Sequence, residues 1–464
     1  MRNVTAKDVA EACGGKIISG NPDTVLAHIS IDSRKMQGDD LFVPIIGEKN
    51  DAHRFIVSAM ENGAAASLTS EHDTAPEGCT GTLIRVEHTV RALQALGYVL
   101  RKRLQIPVVG ITGSVGKTST REMTACAIAS KYNTFRTPAN HNSQVGVPIT
   151  ISEIPAEAEV AVLELGMSEP GEMTAIAKTA EVDIAIMTNI GVAHIENLGS
   201  RENILKEKLH IQDGMKEGGI LIVNGDNDLL KTVMPKPGIK LIRYGTEFYN
   251  DCRAEDITLE NGYPRFTCVI GDKKVPVKLS VMGDHYILNA LAALACADCL
   301  GADLEAAAKA LEEFKGVKGR QDIVVKDGIT IIDDSYNASP DSMKAALKVL
   351  QSVSGCSRRI AVLGDMKELG KEEVRFHRDI GVMCAGLHLD MLVTYGDLAR
   401  EIAKGVYAAN GLRDKVRIEA FNAPEDKEEL TEFLKSELRE GDAVLFKGSN
   451  SMKLGEIAAC FTRK

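Results

Sequence analysis

Gly110-Ile111-Thr112-Gly113-Ser114-Val115-Gly116-Lys117-Thr118 lies between the apolar run Ile106-Pro107-Val108-Val109 and a helix-like stretch from Ser119 to Lys131. Glycines at such a strand-to-helix turn let backbone N–H groups converge on one concavity, where phosphate oxygens can sit. The helix N-terminus adds partial positive charge, the Lys117 ammonium reaches the outer phosphates, and the Thr118 hydroxyl suits magnesium. Gly113, Ser114, Gly116 and Ser119 complete the cradle. The strict pattern has a glycine six residues before the lysine, where this chain carries Ile111; the glycines fall at 110, 113 and 116, which makes the loop a variant. The chain is expected to bind ATP or a related nucleotide.

With 464 residues the chain exceeds one ordinary core and should divide into two to four domains. Its 44% hydrophobic and 26% charged residues are those of a globular protein, and a formal charge of −10 argues against nucleic acid as a partner. Binding a nucleotide therefore needs local basic groups, for which Lys117, Arg320 and Lys447 are candidates. No apolar run is long enough to span a membrane. The segment from Met1 to Asp8 lacks the apolar core of a signal peptide, so a cytoplasmic location is expected. The ten cysteines are scattered and read as reduced thiols. Cys296 and Cys299 sit in an alanine-rich helical run with no second pair to complete a zinc site, so they read as helix packing.

The pattern is α/β in three parts. Residues 1–104 mix short strands and helices. Residues 105–315 alternate apolar strands and helices, including Val160 to Glu164, Asp183 to Met187 and Ile220 to Asn224, which read as buried parallel strands. The interval from about 240 to 282 alternates and carries turn signals, suggesting an antiparallel extension of the central sheet. Residues 316–464 hold five strand candidates, beginning near Ile329, Ile360, Met391, Val416 and Ala443; helices between them describe a doubly wound, Rossmann-like domain.

Polar residues at strand C-termini build the site in such sheets. Glu164 ends one strand and can hold magnesium, or be an ordinary surface acid. His194 follows another strand, and spacing alone leaves it open between structure and function. Lys206 and Lys208 lie in a polar helix, where lysines ordinarily face solvent. Asn289 offers a donor and an acceptor to an adenine edge. Asp334 to Pro340 is a polar turn that serves equally as a helix cap.

In order, TGSVGKT, the ELG strand end, TNIGVAHIENLGS, KEKLHI, GDHYILNALAAL, GVKGR and DDSYNASPDSM resemble the Mur ligase family, ATP-dependent amide-bond ligases of bacterial wall synthesis. The resemblance runs from about residue 31 to 455. The segments Asp32-Ser33-Arg34, Asp40 to Val43, Asp51 to Phe55, Asp333 to Pro340 and Leu363 to Gly370 resemble the branch that joins D-alanyl-D-alanine to a UDP-N-acetylmuramoyl tripeptide. No Asp-Asn-Pro-Arg motif of the diaminopimelate-adding branch occurs. The resemblance implies that Thr118 and Glu164 hold one magnesium ion, and that His194 and a carbamylated Lys208 help place a second. It implies that Asn289, Arg320 and Asp334 contact the nucleotide, and that Lys117, His194 and Lys208 are catalytic. For substrate, Ser33, Arg34, Phe42, Asn140, Asn142, Asn337, Asp365 and Lys447 are the expected contacts. Ser143 and Ala52 depart from the family's usual asparagine and glycine. The implied roles are a UDP-substrate domain over 1–104, a P-loop ATP-binding domain over 105–315 and a dipeptide-binding domain over 316–464, in a monomer. A sister ligase with another amino substrate, or a nucleotide-binding protein without catalysis, are the rival readings.

Overall fold

In the computed structural model, which describes residues 1–47, 50–410 and 416–462, three mixed sheets follow one another along the chain. The first has five strands in the order Lys16–Ser19, Thr82–Arg85, Ala64–Thr69, Asp40–Phe42, His28–Ser30, parallel except for its first pair. Val4–Thr5 and Val25–Leu26 form a separate small ribbon.

The central sheet has nine strands. Its order is Lys273–Lys278, Tyr263–Ile270, Cys252–Glu260, Lys240–Gly245, Ile220–Asn224, Ile184–Met187, Val108–Thr112, Val160–Glu164, Thr134–Arg136. From Thr134–Arg136 as far as Cys252–Glu260 each neighbouring pair runs parallel, and only the last two hairpin partners are antiparallel. The antiparallel extension therefore starts later than the sequence suggested. Lys240–Gly245 is a parallel strand that stays partly exposed over its first four residues.

The helix Lys117–Ile128 packs on one face of this sheet beside His285–Cys299. The alanine run of the latter is wholly buried, and small side chains let the helix backbone lie close to its neighbours. On the other face, the helix Thr89–Arg103 contributes to a core shared by the first and central sheets. Apolar packing thus runs unbroken past residue 104.

The third sheet has six strands, in the order Asp322–Lys326, Ile329–Asp333, Asp442–Lys447, Arg358–Gly364, Met391–Tyr395, Arg417–Phe421. All pairs are parallel except the first. The additional strand Asp322–Lys326 turns back through Asp327-Gly328, both at positive φ (50° and 71°), the backbone a tight hairpin requires. Ile329–Asp333 and Arg358–Gly364 flank Asp442–Lys447, so the strand order reverses there and a crevice opens at the strand C-termini. Among the described residues no helix is long and apolar enough to cross a membrane.

Candidate active site

Val108–Thr112 runs directly into the glycine loop, and Lys117 is the first residue of the following helix. Ile111 is fully buried strand core, which explains why no glycine stands there: the turn begins two residues later. Gly113 approaches the neighbouring strand end so closely that a Cβ would lie 1.9 Å from Thr188 Oγ1. The loop is fixed from that side: Asn189 accepts from the N–H groups of Ser114 (through its carbonyl, 3.0 Å) and Val115 (through Oδ1, 2.7 Å). Lys117 Nζ folds over the loop and donates to the Gly113 carbonyl at 2.7 Å. Loss of water pushes the Lys117 pKa down; Glu164 opposes this, while the positive charge of Arg320 adds to it. The Ser114 and Thr112 hydroxyls are buried without a partner.

Glu164 closes its strand at 2% exposure and is held from two sides. Arg121 Nη1 donates to Oε2 at 3.1 Å and Asn142 Nδ2 donates to Oε1 at 2.8 Å. Arg121 also donates to the Ala139 carbonyl at 2.9 Å, so one buried guanidinium ties the P-loop helix, Glu164 and the 139–142 loop together. Sequence reasoning missed Arg121; its one signal was a charged residue one helical turn beyond Lys117, on the side facing the sheet. Asn140 is exposed in the same loop.

Lys208 is fully buried, and among the described residues its Nζ has no hydrogen-bond partner. Burial first, then the nearby Lys117 charge, push its pKa well below the usual lysine range. A solvent-facing role is therefore excluded for this lysine. Lys206, two residues earlier, is exposed, as a lysine in a polar helix ordinarily is. His194 adopts a left-handed backbone and places Nδ1 2.5 Å from Glu368 Oε2, ion-pair close but off the hydrogen-bond angle. This contact, with Lys117 further off, holds the Glu368 carboxyl below its usual range. Glu368 belongs to the Leu363 to Gly370 segment singled out above, although no role was attached to it.

Asn289 Oδ1 accepts from Thr120 Oγ1 at 3.1 Å and lies beside the loop at Gly116. Thr118 and Ser119 are buried at the helix start. The Arg320 guanidinium stacks 4.2 Å above the Tyr336 ring. Asp334 accepts from Lys447 Nζ at 2.6 Å and from the Gln321 N–H at 3.2 Å. Burial raises its pKa and Lys447 opposes that rise.

Several expected substrate contacts are placed differently. Phe42 is fully buried among Ile56, Ala59, Met60 and Leu83, so its side chain packs the first sheet rather than facing outward. Asp365 is 3% exposed, with Oδ1 accepting from the Ala399 N–H and Oδ2 from Lys367 Nζ, both at 2.8 Å; it caps a helix. Lys447 is 1% exposed and spent on Asp334 and the Asn337 carbonyl. These two buried groups brace the crevice rather than line it. Arg34 is exposed and pairs with Asp32; Ser33 gives its carbonyl to Asn62, and Asn337 is exposed on its turn.

Among the described residues no group of three His, Cys, Asp or Glu side chains stands ready for a metal ion. The donor chemistry still fits magnesium: a carboxylate and a hydroxyl beside a phosphate cradle, with the phosphates and water as the remaining ligands.

A P-loop turn with a strand-end carboxylate and a buried lysine, in a chain of three α/β units, is the arrangement of a class, the P-loop amide ligases. The chain belongs to the Mur ligase family. Residues 111–297 match the Mur ligase middle domain, 319–450 the Mur ligase glutamate ligase domain and 25–98 the Mur ligase family catalytic domain. The UDP-N-acetylmuramoyl-tripeptide–D-alanyl-D-alanine ligase of Bacillus subtilis is 36% identical over 98% of this chain and 97% of its own. The crystal structure of MurF from Acinetobacter baumannii superposes with a TM-score of 0.88 at 30% identity, over 99% of both chains. The Thermotoga maritima MurF ligase in complex with ADP superposes at 0.82 and 29% identity, over 95% of this chain and 98% of the other.

Proposed function

We propose that the chain is an ATP-dependent ligase that joins D-alanyl-D-alanine to a UDP-N-acetylmuramoyl tripeptide. The tripeptide's terminal carboxylate attacks the γ-phosphorus of ATP and ADP leaves, giving an acyl phosphate. The dipeptide amine then attacks the acyl carbon, and the tetrahedral adduct expels phosphate and a proton to leave an amide. Two anions meet in the first step, so cationic groups must offset their repulsion. Lys117 stands at the loop for this purpose, and Arg320 approaches from the C-terminal unit. Phosphoryl transfer of this kind is mainly positioning and charge stabilisation, which suits a site assembled from separate sheets.

Thr118, Glu164 and His194 would hold magnesium, which when bound polarises the phosphoryl oxygens and screens their charge. Asn289 and Arg320 would meet the nucleotide, and the turn from Asp334 to Asn337 borders it. The three sheets would take the UDP substrate, ATP and the dipeptide in chain order, in a cytoplasmic monomer.

The observation that carries the reading beyond nucleotide binding is the partnerless amine of Lys208 beside the P-loop lysine. Burial favours the unprotonated amine, which can add to carbon dioxide with loss of a proton, and the carbamate would carry the oxygen donors a second magnesium ion needs. A simple nucleotide switch has no use for it. The test is phosphate release from ATP and magnesium with the tripeptide nucleotide, with and without D-alanyl-D-alanine. Release that depends on the dipeptide and yields a pentapeptide product is expected. Turnover only with a different amine would move the chain to a sister ligase.

A further inference from the structure

Glu368 does nothing in the reaction just described, yet among the described residues it makes the one ion pair of His194. The two residues come from different sheets: His194 follows Ile184–Met187, and Glu368 follows Arg358–Gly364. Both hold left-handed backbones, φ 63° and 64°, which side chains with a Cβ adopt at a cost. Around them the segments are locked. The Glu196 N–H donates to the Glu368 carbonyl at 3.4 Å, and a Cβ on Gly370 would lie 3.3 Å from Glu196 Cα. Strain at facing positions in two sheets is maintained only where the surrounding contacts over-determine it.

An imidazole has two nitrogens, and a carboxylate on one fixes the ring and decides which nitrogen stays free. We propose that Glu368 is a positioning residue that holds His194 from the Nδ1 side, leaving the Nε2 lone pair free for the magnesium ion that His194 would hold. Because Glu368 sits on the C-terminal unit, the ring is set only while that unit is docked against the P-loop sheet. The contact thus makes docking a condition of catalysis. This deepens the ligase reading and rests on it.

The test uses the full chain with Glu368→Ala and Glu368→Gln. In protein labelled with ¹⁵N-histidine, the His194 ring signals are identified by their loss in His194→Asn. Glu368→Ala should shift those signals, while Glu368→Gln, which keeps an acceptor oxygen, should largely preserve them. In ligation assays Glu368→Ala should lower kcat about tenfold with the KM for ATP unchanged, in the range expected for a residue acting behind a ligand. In a His194→Ala background the same change should add nothing. Unmoved ring signals, an unchanged kcat, or losses that multiply in the double variant would each overturn the proposal. If the parent failed to ligate while Glu368→Ala still shifted the ring signals, the ligase reading would fall and the positioning contact would stand.

Discussion

At the scale of single residues, burial decides which charged groups act. Lys208 and Lys447 are both lysines with almost no exposure, but their surroundings differ. Lys447 is neutralised by Asp334 and is structural, while Lys208 has no partner and keeps its amine available. Lys208→Ala is expected to abolish ligation while leaving nucleotide binding intact. Short carboxylic acids, which fit the vacated space and return the oxygen donors, should restore part of the rate in a phosphate-release assay. An active variant, or one that no acid rescues, would remove the carbamate. Arg121 belongs at this scale too: no pattern marks it, because its value comes from reaching Glu164 across 43 residues of sequence.

At the scale of elements, helix approach and helix termini carry the energetics. The helices Glu373–Ala385 and Ala399–Asn410 cross at two glycines. A Cβ on Gly381 would lie 2.0 Å from the Ile402 carbonyl oxygen, and one on Gly405 2.2 Å from that of Arg378. Neither obstacle is a flexible side chain, so the backbones must separate. Gly381→Ala should destabilise the protein by about 3 kcal/mol, the upper range for overpacking, as read from urea unfolding. His285 opens the buried helix His285–Cys299, and burial pushes its pKa down to about 4. The unfolded chain binds that proton near pH 6.5, so stability is retained above 6.5 and lost as the pH falls towards 4. Between pH 7 and pH 5 this one group should cost about 2 kcal/mol. Urea midpoints at the two pH values, compared with a His285→Asn variant, check the slope; an equally steep slope in the variant would assign it elsewhere.

At the scale of the whole molecule, the first two sheets behave as one body. Arg101, on the helix Thr89–Arg103, donates Nε to the Ala180 carbonyl at 2.9 Å and Nη2 to Asp183 Oδ2 at the same distance. Asp183 also accepts from the Val108 N–H at 2.8 Å, at the start of the strand that becomes the P-loop. Arg101→Ala should cost about 2 kcal/mol, because it leaves the Ala180 and Glu181 carbonyls without their buried guanidinium donor, while the half-exposed Asp183 carboxylate can turn to water. Calorimetry should then resolve a separate early transition for the first unit, where the parent unfolds those two sheets together. The third sheet is attached differently, through the Gly316 to Gly319 turn and through contacts such as that between His194 and Glu368. Met282 and Val192 also pack on the core of the third sheet, and a limited attachment of this kind is what a closing unit needs.

The sequence by itself determined the local chemistry. Strand, glycine turn and helix from Val108 to Ile128 are short-range, so the phosphate site was legible, as were the parallel strands with their continuous apolar runs and the order of motifs that marks the family. Tertiary structure decided everything that depends on which face is turned inward. Phe42 and Asp365, expected at the substrate, lie in packing and capping positions; Lys208, expected as a catalytic group by resemblance although lysines in such a helix ordinarily face solvent, lies at zero exposure. The strand Asp322–Lys326 escaped notice although Asp327-Gly328 is a strong hairpin signal, because its apolar run Ile323-Val324-Val325 is only three residues long and partly exposed. Arg121 and Glu368 were hidden for the same physical reason. A charge acquires a role from the groups the fold sets beside it, and those groups are distant in the chain.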